Sequence, residues 1–166
     1  MKQKDVKPIP EGYHTMTACL TVQDAVRMVE FYKEAFGAKE RYRMWTPDGK
    51  QVAHAEMQIG DSVFMLGNEM PGQECGGSPQ TLGGTPVGFY IYVKDVNAAF
   101  DQAVAAGATI KQPVQNMFWG DRIGTVTDPS GHSWTLATRV EEPSPEEITR
   151  RGHEAFEKML QGAGQT

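Results

Sequence analysis

Between Thr15 and Val22 apolar and polar residues alternate. Met16, Ala18, Leu20 and Val22 share one face; Thr15, Thr17, Cys19 and Thr21 share the other. That pattern predicts a strand buried on one side. From Ala25 the period changes to that of a helix, with Ala25, Met28, Val29, Tyr32, Ala35 and Phe36 on one stripe. Asp24 stands at the N-cap and Gly37 at the stop. The same order returns at Val93-Lys-Asp95, followed by Val96, Ala99, Phe100, Ala103 and Val104 and closed by Gly107-Ala108, as the first helix is closed by Gly37-Ala38. An offset of about 70 residues and only two copies mark an internal duplication, too short an array for a solenoid.

Three strand-like segments follow each helix: Glu40–Trp45, Val52–Ile59 and Ser62–Leu66 in the first half, Thr109–Met117, Arg122–Thr127 and Ser133–Ala137 in the second. Pro47-Asp48-Gly49, Gly60-Asp61 and Pro129-Ser130-Gly131 supply the turns. The expected fold is therefore α+β, with two tandem βαβββ units (about 13–68 and 86–139) forming curved mixed sheets around a cleft. Residues 70–86, rich in Gly and Pro, read as a flexible linker. Ser144-Pro145-Glu146-Glu147 is a capping box for a final helix over 145–160, which Ile148, Phe156, Met159 and Leu160 would dock on the body or on a second subunit.

Composition narrows the class of function. Of 166 residues 39% are apolar, which suits one globular domain. The net charge is −5 with no Lys/Arg block, so neither nucleic acid nor an anionic membrane is an expected partner. No apolar run approaches the ~18 residues of a membrane span. Met1 to Pro10 has no apolar h-region, and Cys19 and Cys75 lie far apart, so both thiols are expected free in a cytoplasmic protein.

Alternation also predicts the functional face. With Ala53, Ala55, Met57 and Ile59 turned under the helix, His54, Glu56 and Gln58 face the other way, as do Val63 and Met65, Gly88, Tyr90 and Tyr92, and Ser133, Thr135 and Ala137. Two such mixed polar and aromatic faces curled around a shared cavity would make a small-molecule site. His54 and Glu56, two apart on one strand face, could serve as a general acid/base pair or bind a polar group. Trp119 offers an indole for stacking, and Arg122 a guanidinium for an anionic group. Asp121 and Arg122 could equally fix their own loop. His132 is read as a backbone partner, and His14 and His153 as exposed. Cys19 faces the predicted cleft without a neighbouring His. There is no phosphate loop, no Gly-x-Ser-x-Gly and no His-Glu-x-x-His.

The paired β-α-Gly-Ala units resemble the vicinal oxygen chelate superfamily, which includes glyoxalase I, extradiol dioxygenases, fosfomycin-resistance enzymes and bleomycin-binding proteins. The likeness covers roughly Tyr13 to Arg151. It is nearest to the phosphonate-operon-B-like subgroup through His54-Ala-Glu56-Met-Gln-Ile-Gly60-Asp61-Ser62, Phe118-Trp119-Gly120-Asp121-Arg122 and Asp128-Pro-Ser-Gly131-His132-Ser-Trp134-Thr-Leu136-Ala-Thr138. The resemblance implies the glyoxalase/bleomycin-resistance fold and a homodimer whose subunits share the cleft. It also places the metal ligands of metal-dependent members at Thr17, Met65, Gly88 (or Tyr90) and Thr135. A thioether and two hydroxyls do not hold a divalent ion, so no metal or other cofactor is expected. The expected function is a metal-free protein that binds a small organic ligand, such as an antibiotic, through Thr17, Cys19, Met65, Tyr90, Tyr92, Trp119, Arg122 and Thr135. The alternative is a lyase- or isomerase-type enzyme using His54 and Glu56 with a nonstandard or absent metal.

Overall fold

In the computed structural model, which describes residues 6–70, 72 and 76–163, the first half runs β1 (Ala18–Val22), α1 (Ala25–Phe36), β2 (Lys39–Trp45), β3 (Val52–Ile59) and β4 (Ser62–Asn68). A one-turn helix α2 (Pro79–Leu82) leads to the second half: β5 (Gly88–Tyr92), α3 (Val96–Ala105), β6 (Thr109–Asn116), β7 (Asp121–Thr127) and β8 (Ser133–Arg139). The helix α4 (Pro145–Ala163) follows. Each half is a mixed four-stranded sheet, ordered β1-β4-β3-β2 and β5-β8-β7-β6. Only the β1–β4 and β5–β8 pairs are parallel. Among the described residues no helix is long and apolar enough to cross a membrane.

The caps act as the sequence predicts. Asp24 accepts from the Arg27 amide, Asp95 accepts from the Asn97 and Ala98 amides, and Gly37 takes the left-handed conformation at φ +63°. Both helices press onto their own sheets. A Cβ on Gly124 would stand 2.5 Å from Phe100 Cδ2, so only glycine lets α3 lie this close to β7.

The two halves join through their helix sides. Trp134 of β8 meets Phe36 and Tyr32 of α1 at ring-centroid distances of 4.9 and 5.5 Å, and Phe64 of β4 at 5.9 Å. Beneath these rings lies Asp128, 3% exposed. Its Oδ2 accepts from Tyr32 Oη (2.8 Å) and Trp134 Nε1 (2.9 Å), and its Oδ1 from the amides of Ser130 and His132 (2.9 and 3.0 Å). Burial first, and then the charge of Asp128, push the Tyr32 hydroxyl well above its ordinary pKa, so it stays a donor.

The α+β fold of two tandem βαβββ units with mixed sheets is as expected. The halves share their helix sides, and the polar face of each sheet lies on the side away from its own helix. Differences follow from the packing. Met16 precedes β1 and is 91% exposed instead of lying under α1. Val63, expected on the open face, is buried there. The segment between the halves is tied down where it is described: Glu69 accepts from the Ser78 amide and the Thr81 hydroxyl, and Gln80 donates to the Pro129 carbonyl. Cys75 and Met1–Asp5 lie outside the described residues. In α4, Ser144 caps the Glu147 amide as predicted. The helix docks by Gly152, where an added Cβ would be 3.1 Å from Phe118 Cε2. Phe156, Met159 and Leu160 do not dock on the body and remain exposed.

Candidate functional site

The turn Phe118-Trp119-Gly120 delivers the chain into β7, and strand alternation from Asp121 decides which side chains reach the open face of the second sheet. Asp121, Ile123 and Thr125 turn outward, away from α3. On β5 the same parity presents Tyr90 and Tyr92, and on β8 it presents Thr135, Ala137 and Arg139, in register with Tyr90 (opposite Thr135), Tyr92 (opposite Ala137) and Asp121 (opposite Arg139).

Asp121 organises this face. It is 1% exposed, and its Oδ2 accepts three hydrogen bonds: from Tyr90 Oη at 2.9 Å, Tyr92 Oη at 3.0 Å and Trp119 Nε1 at 3.1 Å. Arg139 Nε lies 2.7 Å from Oδ1, off the direction of a good hydrogen bond, so this contact is chiefly an ion pair. Desolvation, followed by the bond to Asp121, pushes the Tyr90 hydroxyl up to about 12. It therefore acts as a fixed donor and not as a base. The rings themselves stay open: Tyr90 is 44% and Tyr92 60% exposed, with centroids 5.4 Å apart. Phe118 packs edge-on against Trp119 at 4.9 Å. Thr135 and Thr125 hydroxyls share a 3.0 Å bond on the same face.

The open face of the first sheet carries His54, Glu56 and Met65, with Tyr42 and Met44 opposite Glu56 and His54 on β2. His54 Nε2 and Glu56 Oε1 are 3.6 Å apart, too far for a hydrogen bond. Tyr13, under the Arg41 guanidinium, reaches over this face. Its hydroxyl makes no well-aligned hydrogen bond, yet burial first and then Glu56 raise it to about 12.

The predicted residues thus divide into two groups. Tyr90, Tyr92, Trp119 and Thr135 come together on the second sheet. His54, Glu56, Met65 and Cys19, the last opposite Met65, lie on the first. Thr17 precedes β1 and bonds the His14 carbonyl. Arg122 belongs to neither group. Alternation turns it to the helix side, where it donates to Asn97 Oδ1 at 3.1–3.2 Å and Asn116 Oδ1 at 2.9 Å, which corrects its expected place beside Trp119. Sequence reasoning missed Arg139 and the gathering role of Asp121. The parity of Arg139 with Thr135 and Ala137 was the available signal.

The four positions expected from the resemblance to match metal ligands, Thr17, Met65, Gly88 (or Tyr90) and Thr135, carry hydroxyl, thioether and glycine (or phenol) groups, a donor set that does not fit a divalent ion. Among the described residues no three His, Cys, Asp or Glu side chains converge. A cavity of about 220 Å³ lies between β1, α2 and β5, bordered by Cys19, Leu20, Leu82, Phe89 and His132. It is smaller than the usual ligand pocket, and His132 there is engaged with the Thr21 carbonyl at 3.0 Å.

Residues 13–136 match the Glyoxalase/Bleomycin resistance protein/Dioxygenase superfamily. The uncharacterized protein Mb0911c of Mycobacterium bovis is 44% identical over 132 residues, covering 78% of this chain and 86% of that protein. Among solved structures, TioX from Micromonospora sp. ML1 is similar at 29% identity and a TM-score of 0.61, covering 76% of this chain and 99% of that one. The fosfomycin resistance protein FosX of Listeria monocytogenes shares the fold at 17% identity and a TM-score of 0.58, covering 81% of this chain and 97% of that one.

Proposed function

The chain belongs to the glyoxalase/bleomycin resistance protein/dioxygenase superfamily, and from that premise we propose that it is a metal-free binding protein that sequesters a small organic compound on the Tyr90–Tyr92–Trp119 face. The observation that carries this reading is the single carboxylate of Asp121, which ties down the polar ends of all three side chains and leaves the tyrosine rings open to solvent. Fixed aromatic surfaces of this kind bind planar or apolar groups with little ordering cost. An antibiotic is one compound class in keeping with a fosfomycin resistance protein among the structural neighbours, although that likeness is one of fold. A homodimer completes the reading: a second copy that laid its first-sheet face over the second-sheet face would close the cleft that one chain leaves open.

A compound library screened by thermal shift supplies ligands for the test. Tyr90→Ala and Trp119→Ala are expected to weaken the hits by about tenfold each while the circular dichroism spectrum stays that of the native protein. Unchanged affinity in both variants would remove the site. Dialysis against Zn, Ni, Mn and Fe should leave less than about a tenth of an equivalent of metal per chain, since no imidazole–carboxylate set stands at the aligned positions. Retention near one equivalent contradicts the metal-free reading.

A second reading, acid/base catalysis by His54 and Glu56, draws on their shared face and on Tyr13 beside Glu56. His54→Ala separates the two readings: a binder keeps its affinity for the hits, whereas an enzyme loses turnover of one of them.

A further inference from the structure

The hydrogen-bond inventory of this face narrows the class of ligand, an inference that rests on the binding reading above. Tyr90 and Tyr92 each have one hydroxyl proton and Trp119 one indole proton, and all three point at Asp121. A ligand therefore meets ring faces and finds no tyrosine or tryptophan donor to bond. Asp121, 1% exposed beneath the rings, is out of its reach. A charged group beside these rings is Arg139, whose side chain is 44% exposed. Its Nη1 is 3.4 Å from the Trp119 carbonyl and its Nη2 3.5 Å from Tyr92 Oη, long contacts that leave guanidinium hydrogens for a further acceptor. The bond to Tyr92 first, and then Asp121 and Glu142, keep the guanidinium charged.

We propose that the ligand is a flat aromatic compound bearing an oxygen acceptor at its edge, a carboxylate or a carbonyl, which stacks on one of the two tyrosine rings, Tyr90 or Tyr92, packs against the other, inclined at 57° to the first, and meets the outer edge of Arg139. Such a group answers the fork of an arginine. A cationic compound meets repulsion from Arg139 while the compensating carboxylate stays beneath the rings.

Calorimetric titration of the full chain with three probes that share one ring system tests this: 2-naphthoate, 2-acetylnaphthalene and 2-naphthylmethylammonium. The two oxygen-bearing probes are expected to bind at least about tenfold tighter than the ammonium probe, the carboxylate being the tighter of the two. Arg139→Gln should reduce that advantage to about threefold or less. Loosening of the site affects all three probes alike and cancels in the ratio. Arg139→Lys, which keeps the charge should the glutamine variant fail to fold, retains the preference for naphthoate over the ammonium probe. Tyr90→Phe should lose some naphthoate affinity but less than Tyr90→Ala, because it keeps the ring that faces the ligand and gives up one of the three ties to Asp121. A preference for the ammonium probe, a ratio unmoved by Arg139→Gln, or a Tyr90→Phe loss as large as that of Tyr90→Ala would each overturn the inference. If none of the probes binds while library hits still depend on Tyr90, the ligand class is wrong and the face stands. Hits indifferent to Tyr90 and Trp119 overturn the face itself.

Discussion

Asp128→Ala is expected to lower the stability of the protein by about 4 kcal/mol, a fall of roughly 10 °C or more in Tm. Tyr32 and Trp134, 0% and 3% exposed, would lose their acceptor in a buried position. Each buried donor left unpaired costs about 1–3 kcal/mol, and the turn that holds the Ser130 and His132 amides loses two more bonds. The damage falls between the halves, since Tyr32 belongs to the first and Asp128 and Trp134 to the second. Asp128→Asn, which keeps one acceptor oxygen but aims an amide NH₂ at existing donors, should fall between wild type and alanine. Thermal unfolding followed by circular dichroism measures both. A shift below about 3 °C for alanine would mean that the Tyr32 and Trp134 donors find other partners, and the lock assigned to Asp128 would not exist.

Asp121→Ala has the opposite profile, with modest loss of stability and large loss of binding. Its partners are partly exposed: Tyr92 is at 60%, Tyr90 at 44% and the Arg139 side chain at 44%. Water can replace much of what the carboxylate supplied, and the stability cost should be about 1–2 kcal/mol. Binding depends instead on three rings being held in one arrangement before the ligand arrives. Releasing them returns the cost of ordering each side chain to the binding step, and affinity for the library hits should fall by about 30-fold. Asp121→Asn keeps a single acceptor for three donors and loses the attraction for Arg139, so an intermediate loss is expected. Full affinity in the alanine variant would show that the rings are positioned without the carboxylate, which would remove Asp121 from the site.

Both aspartates were visible in the sequence within short motifs, Trp119-Gly-Asp121 and Asp128-Pro-Ser. Nothing local distinguishes them. One is buried under the shared core and the other beneath an open face, and that difference comes from contacts about 30 residues apart or more, such as Tyr90 with Asp121 and Tyr32 with Asp128. Arg122 illustrates the limit from the other side. As a neighbour of Trp119 and Asp121 it reads as part of the same group, yet one step along a strand reverses its direction, and the register of β7 gives it to Asn97.

Apart from the one-turn helix Pro79–Leu82, the elements and their duplication were legible in the residues alone, as were the caps at Asp24 and Asp95 and the parity that groups Tyr90, Tyr92 and Thr135 on one face and His54 and Glu56 on another. These follow from periods of two and 3.6 residues and from side chains bonding their own backbone nearby, forces that act within a few positions. It took the folded chain to show that the two halves meet through their helix sides, that Asp121 gathers three aromatic side chains, and that Arg139 stands beside them. Those outcomes depend on how Trp134 packs among Tyr32, Phe36 and Phe64. Each half presents an apolar helix side and a polar open side, and alternation alone is satisfied whichever way two such halves are set against one another. Burying the aromatic helix sides together, with Asp128 bonded beneath them, selects the arrangement in which the halves meet through those sides.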